Sequence, residues 1–473
     1  SGGDENAYSI VGGVSGAKGN VTFAFDAQQR DILYEADRSF TATNLSGLGF
    51  PGSYFATLAT DDPRNPSGRF LRLGGFPDPR CPSQLGTDPD FPNSEAFRFG
   101  TPDGQGFCQF NYSSSRANEA ENDAKSFFID TNYEISESTS FFAQGLFTLN
   151  ESFTRNAEAP TRFNWRSDDP NNPTNPANPT NALGDPFPGQ SIDVDLDFDG
   201  TPDFTVEGPF DLSVSYRNAP AGPRDGNFDD TLVDYVAGVE GAVDWLGGAD
   251  WQVAGQYSEQ KSKGRFSGVL LSPAIDEAVA TGNLDVFAVT DGSLETITAQ
   301  ASGISYTERN DTRFRLAGGD TQLTFDAFQL RHGPVAVALG GEYRDEDFDQ
   351  SIDEQTASGN ASGGNQIEPL SGARTVTSLF AETVIPVLET VELNLAVRYD
   401  DYNDFGTTFN PKASLAFRPM DTLLLRASYG KGFQAPSLTD LYTGPATVVS
   451  FEGIIDSWQC SMTPQDTDGD GRA

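Results

Sequence analysis

Apolar and polar residues alternate with a period of two along much of the chain, most clearly from Val391 to Tyr442. Val391, Leu393, Leu395, Val397 and Tyr399 stand against Glu392, Asn394 and Arg398. Ala413, Leu415 and Phe417 stand against Lys412, Ser414 and Arg418, and Leu423, Leu425, Ala427 and Tyr429 against Thr422, Arg426 and Ser428. Successive side chains of a strand point to opposite faces, so this pattern predicts an antiparallel meander with one apolar and one polar face. The alternation recurs upstream at Tyr8 to Val14, Val21 to Ala27, Phe127 to Ile135, Phe141 to Leu149, Val233 to Val239, Trp251 to Tyr257, Leu323 to Ala327, Val335 to Tyr343 and Thr377 to Ile385. The total is about twelve strands of roughly ten residues, the length a tilted strand needs to cross a bilayer.

The connections between these strands alternate in length. Short turns such as Gly16-Ala17-Lys18-Gly19, Ser136-Glu137-Ser138 and His332-Gly333-Pro334 take turns with long stretches at about 30–122, 154–229, 264–311, 346–372 and 443–473. Structureless loops of that size are foreign to a compact soluble domain. A transmembrane barrel has short turns at its periplasmic end and long extracellular loops at the other. The expected fold is therefore all-β, a transmembrane antiparallel β-barrel with its apolar face toward outer-membrane lipid. Tyr133, Trp245, Trp251, Tyr257, Tyr343 and Tyr399 suit interfacial aromatic girdles.

Some detail is readable inside the loops. The Pro- and Asn-rich stretch from Asp168 to Gln190 is expected to be extended and hydrated. Ser272-Pro273 before Ile275, Ala278 and Val279 reads as a helix cap, as does Ser293 before Leu294 to Ala301. Short helices over the barrel mouth follow from these signals.

Composition sharpens the picture. No apolar run approaches the roughly 18 residues of a membrane helix. Thirty basic against 69 acidic residues give a formal charge of −39, which repels nucleic acid and excludes it as a partner. Cys81 and Cys108 share one long insertion and are placed to close a disulfide in an oxidising compartment, while Cys460 has no mate within the chain. No signal peptide precedes Ser1, as expected of a processed chain or of one internal to a longer gene.

Two acidic runs have calcium-type spacing. Asp195, Asp197 and Asp199, with Gly200 and then Asp203, place carboxylates at the first, third and fifth positions with glycine at the sixth. Asp466, Asp468 and Asp470 with Gly471 do the same. Neither run has the closing bidentate glutamate of an EF-hand, so each reads as a Ca²⁺ site or as a hydrated acidic turn. Gly47-Leu48-Gly49-Phe50-Pro51-Gly52 matches a dinucleotide fingerprint in letters alone, without its strand-turn-helix setting. The single histidine, His332, lies in a tight turn, which disfavours a His-based triad and imidazole metal sites. Nothing in these residues asks for catalysis.

Arg398-Tyr399-Asp400 through Asp404-Phe405-Gly406, then Asn410-Pro411-Lys412, then Arg426 to Leu438 with Leu441-Tyr442, resemble the mid-barrel signature of TonB-dependent outer-membrane receptors. The opening hairpin through Ala36-Asp37-Arg38-Ser39-Phe40 is similar to their first barrel strands, and Gln434 departs from the arginine that the family commonly carries. The resemblance implies a 22-stranded barrel closed by an N-terminal plug, importing a scarce nutrient such as a siderophore, cobalamin or saccharide with energy from the TonB complex. It also implies that this chain is part of a longer gene product, with the plug and about ten strands elsewhere, since unpaired strand edges are not viable in lipid. Trp165, Phe187 and Trp458 are the expected mouth aromatics for stacking on ligand rings. Two rival readings remain: a passive porin-like channel, and a calcium-binding surface or adhesive protein.

Overall fold

The structure, a computed structural model, describes residues 2–59, 61–67, 70–78, 80–98, 106–168, 172, 174, 191–194, 201–244, 248–281, 283, 303–362 and 366–443. Twelve strands form one antiparallel meander: β1 (Glu5–Ser15), β2 (Gly19–Arg30), β3 (Glu121–Ser136), β4 (Thr139–Asn156), β5 (Arg224–Val243), β6 (Ala249–Leu271), β7 (Ser305–Leu330), β8 (Gly333–Ile352), β9 (Leu370–Leu388), β10 (Val391–Tyr402), β11 (Gly406–Met420) and β12 (Leu423–Gly430). Each pairs with its sequence neighbours in chain order. All twelve alternating segments of the sequence lie on these strands. Among the described residues, β1 and β12 pair on one side only, and no helix is long and apolar enough to cross a membrane.

Register explains why a weak alternation in each strand becomes a strong feature of the sheet. Phe25 lies opposite Phe127, Phe127 opposite Phe147, and Phe147 opposite Val233. Tyr235 faces Tyr257, Leu323 faces Leu339, and Leu379 faces Tyr399. One face thus carries a continuous apolar belt, much of it exposed. A slip of one residue in any pair would turn that strand's apolar set to the polar face.

The strands run further than their apolar alternation does. The sequence places loops from about 264 and 346, yet β6 continues to Leu271 and β8 to Ile352, while β7 starts at Ser305. Beyond Tyr257 and Tyr343 the same outward face carries Glu259, Lys261, Asp345 and Asp347. The outward face is polar there and the inward face holds only isolated apolar residues such as Phe266 and Phe348, so a period of two leaves little hydrophobic trace. Cross-strand pairs such as Arg315–Asp345 at 3.4 Å and Arg313–Asp347 at 3.5 Å decorate this extension. Such half-exposed pairs contribute under about 1 kcal/mol each, so the backbone ladder carries most of the stability.

Helix α1 (Ser272–Ala280) forms where Ser272-Pro273 predicts it, but Leu271 is the cap residue and Ser272 the first helical one. The predicted helix after Ser293 lies outside the described residues, as does the 168–190 stretch apart from Asp168, Asn172 and Thr174. Past β8, Asp353 caps the single turn α2 (Glu354–Ala357) by accepting from the amides of Gln355 at 3.1 Å and Thr356 at 3.0 Å.

Asp353 also accepts from the Tyr306 hydroxyl, the Arg309 amide at 2.8 Å and the Thr356 hydroxyl at 2.9 Å. Burial works against its charge, but these donors overcome it and hold the carboxyl down at about 2. A depressed folded-state pKa stabilises above the unfolded value and loses that contribution as pH falls through the folded one. The turn is expected to stay ordered on acidification to about pH 4 and to open toward about pH 2. Exchange of the Gln355 and Thr356 amides across that range, in wild type and in Asp353→Asn, measures this. Equal exchange at pH 5 in the two proteins would refute it.

At the long-loop end the connections build a body of their own. Pro160–Trp165, Asp211–Arg217, Ser53–Leu58 and Leu71–Pro77 form a four-stranded sheet in that order. Tyr54, Leu58, Phe210, Leu212, Val214 and Tyr216 are buried there, together with Ile275 and Val279 of α1. The sequence reading left these stretches as loop. Their alternation, Tyr54-Ala56-Leu58 and Leu212-Val214-Tyr216, is the same signal on strands too short to stand out.

Candidate functional site

Two features stand out at the long-loop end: the cap just described, and the wall of the polar face beneath it. In the cap, Arg217 is buried and fully used. Its guanidinium donates to the carbonyls of Leu48 at 2.9 Å and Glu158 at 2.7 Å and to the Ser46 hydroxyl at 3.1 Å, and it lies 5.2 Å from the Phe110 ring centroid. Burial pushes its pKa down to about 10, with Glu158 opposing. It therefore remains a cation at neutral pH, tying three loop segments together. Burial likewise raises the Tyr216 and Tyr54 hydroxyls, which stay neutral.

Cys81 and Cys108 are joined, with Cα atoms 6.0 Å apart. Cys108 is fully buried, and its amide donates to the Ser53 hydroxyl at 2.7 Å. Carbon on Gly49 would fall 2.2 Å from the Cys108 carbonyl oxygen, so a side chain at that position would push the crosslink off the sheet. That contact accounts for one glycine of the sequence's apparent fingerprint.

The polar face is the concave one. The segment after β12 folds back across it and ends in α3 (Leu438–Tyr442), which packs on β9. Tyr442 lies so close to Gly372 that an added Cβ would sit 2.5 Å from its ring. One residue fastens this segment. Arg374 of β9 pairs through Nε with Asp404 Oδ2 at 2.7 Å and donates through Nη2 to the Pro436 carbonyl at 3.0 Å. Its guanidinium is 5.6 Å from the Tyr402 ring and 5.3 Å from Phe405. Tyr402 stacks on Phe405 at 4.3 Å, and Phe433 closes the cluster 5.5 Å from Phe405.

Lower on the same face, Arg398 bridges Glu342 and Asp400, each at 2.7 Å, and donates to Ser378 at 2.8 Å. The sequence motif from Arg398 to Gly406 is thus two linked ionic clusters on three strands. Arg374, their partner from β9, had no sequence signal: nothing local distinguishes it from a solvated strand arginine.

Of the expected ligand aromatics, only Trp165 is among the described residues. Trp165 is only 5% exposed and packs edge-on against Phe163 at 5.4 Å, so it holds the cap together and does not face the mouth. Phe187 and Trp458 lie outside the described residues, as do Asp195, Asp197, Asp199, Asp466, Asp468, Asp470 and Cys460. Asp203 is described, and its amide donates to the Val194 carbonyl at 2.7 Å. It closes a hairpin of Ser191–Val194 with Phe204–Glu207 that brackets the first acidic run. Among the described residues no group of three metal-ligating side chains converges.

Comparison with known proteins gives the class. The family model for the TonB dependent receptor-like β-barrel matches residues 182–459. The chain belongs to the TonB-dependent receptor family, whose barrels sit in the outer membrane of Gram-negative bacteria and act as transporters and receptors, not enzymes. Among solved structures it is similar to a mutant of the ferric enterobactin receptor of Pseudomonas aeruginosa, at 11% identity and TM-score 0.42, covering 92% of this chain and 42% of that one. It is also similar to the ferric preacinetobactin receptor of Acinetobacter baumannii, at 9% identity and TM-score 0.36, covering 88% and 44%. The siderophore receptor PirA from Acinetobacter baumannii matches at 11% identity and TM-score 0.34, covering 91% and 43%. The chain thus spans less than half the length of these solved receptors. No curated protein sequence matches it.

Proposed function

We propose that this chain supplies wall and cap of a receptor that captures a scarce small-molecule nutrient outside the cell and imports it with energy from the TonB complex. The apolar belt lies in outer-membrane lipid, the short turns face the periplasm and the cap faces outward. The observation that carries this reading is the asymmetry of the meander. Among the described residues, the connections between β2 and β3 and between β4 and β5, joined by α1, gather at one end over a concave polar wall and build a cap with its own buried core and crosslink. A lumen that only passes solutes would need no such structure.

The reading is tested in cells carrying the full-length gene, its deletion, or the gene without TonB. Depletion of compounds from spent medium is followed by mass spectrometry. One compound is expected to be removed by the first strain alone. Removal without TonB would sink the proposal in favour of passive diffusion, for which large conductance in a planar bilayer is the independent sign. Calcium at the run bracketed by the Asp203 hairpin belongs to the same proposal: millimolar Ca²⁺ is expected to protect this hairpin from protease and a chelator to reverse it. Identical digestion patterns would remove the metal from the account.

A further inference from the structure

Strands β6 to β9 and the segment after β12 enclose a cavity of about 460 Å³ on the concave face, within the roughly 300–1,000 Å³ of small-molecule sites. Phe314 of β7 and Phe348 of β8 line it from directly opposite positions of the ladder, both half-buried. Gln260, Ser262 and Thr312 add neutral donors and acceptors beside them. Two charged groups complete the wall. Arg374 has its nitrogens taken by Asp404 and Pro436 and its flat faces covered by Tyr402 and Phe405, which leaves little of it for an incoming anion. Glu346 remains, with its nearest ion-pair contact, Arg344 Nε, at 3.8 Å.

The wall on the side of β3 to β7 has the same sign. On the inward positions of β3 to β7, fixed by the registers, stand Asp130, Asp230, Asp234, Glu240 and Asp320. The one cation among the described inward positions of those strands is Arg224, at the rim. Clefts lined by one sign of charge concentrate the opposite sign and turn away their own.

We propose that this cavity is a subsite for an uncharged, hydroxyl-rich ring of the carbohydrate class, and that the receptor rejects polyanionic ligands. The two phenyl rings give flat apolar surfaces for the C–H face of a sugar ring. The amide, hydroxyl and carboxylate groups around them satisfy its hydroxyls, and a buried polar group that loses its partner is costly enough to enforce the choice. A polyanion would meet Glu346 and the acidic wall of β3 to β7, while Arg344, Arg374 and Arg398 on β8 to β10 are each already engaged by a carboxylate. This inference rests on the uptake reading and names its ligand class.

The full-length receptor in detergent is titrated calorimetrically with a panel of short neutral gluco-, galacto- and xylo-oligosaccharides and, separately, with a ferric tris-catecholate. At least one neutral member is expected to bind, with about tenfold weaker affinity in Phe348→Ala. Phe348→Leu keeps the volume without the flat ring and is expected to lose most of the same affinity, while Lys263→Ala, on the outward face, changes nothing. Unaltered mobility of the unheated protein in gels shows that each variant is folded. Binding of the ferric chelate alone, binding of no panel member, or neutral binding indifferent to both Phe348 variants would each overturn the proposal. If the ferric chelate is bound and imported only with TonB, the uptake reading stands and the carbohydrate subsite falls. Import that ignores TonB removes the uptake reading, and the titration still decides the cavity.

Discussion

Arg374→Ala is expected to release the segment from Gly430 to Tyr442 from the wall, at a cost of about 3–5 kcal/mol to that contact. The estimate follows from burial. Arg374 and Asp404 are 5% and 7% exposed, so neither charge can turn to water when the other is removed. The alanine variant leaves the Asp404 carboxylate uncompensated, the Pro436 carbonyl without its donor and the Tyr402–Phe405 stack without its cation. Among the described contacts, the middle of that segment is held, besides Arg374, only by the Phe433 ring, 5.5 Å from Phe405 and 6.2 Å from Tyr402. Lys431 donates its amide to Pro411 at one end, and Leu438 is buried at the other. Limited trypsin digestion of the folded receptor reads the outcome as rapid new cleavage after Lys431. The double variant Arg374→Leu, Asp404→Leu should recover much of the protection, because replacing a buried pair by apolar groups is far milder than breaking it. Protection at Lys431 equal to wild type in the single variant would show that the segment is held elsewhere.

Loss of the Cys81–Cys108 crosslink is the second large effect. The bridge spans a sequence separation of 27, for which the chain-entropy estimate is about 3.5 kcal/mol. The cost falls on the cap, because Cys108 lies on its strand Gly106–Asn111, Cys81 follows its strand Leu71–Pro77, and Ser53, which receives the Cys108 amide, opens another of its strands. Reduction, or Cys81→Ser with Cys108→Ser, is expected to raise amide exchange in Ser53–Leu58 and Asp211–Arg217 and to leave the ladder of β7 and β8 unchanged. Exchange that rises equally in both regions would mean that cap and meander unfold as one unit.

The two effects separate the protein's layers. The ladder resists either change because each strand between β1 and β12 is held by two neighbours. The cap and the returning segment depend on single fastenings between stretches far apart in sequence. Removal of one fastening is therefore local and measurable, and ligand capture would be altered without loss of the meander.

What the sequence determined by itself was the meander. Twelve alternating stretches name twelve strands, and the run of apolar residues at every second position fixes which face is apolar, because the pleat allows no other arrangement. The contrast of short turns with long connections set the two ends of the meander apart, and the linked motifs from Arg398 to Tyr442 pointed to the family. The pairing of Cys81 with Cys108 was also readable, since they share one insertion and their only rival, Cys460, lies far away. Tertiary structure alone decided the rest. Strand extensions past Tyr257 and Tyr343 leave no sustained hydrophobic period, because their outward face is charged and their inward face holds only isolated apolar residues such as Phe266 and Phe348. The cap's sheet is assembled from four stretches scattered between Ser53 and Arg217, so the burial of Trp165 could not be told from exposure by its neighbours in sequence. Arg374 becomes a clamp only because the sheet curls until the chain after β12 meets β9, and curvature is a property of twelve paired strands together, not of any one.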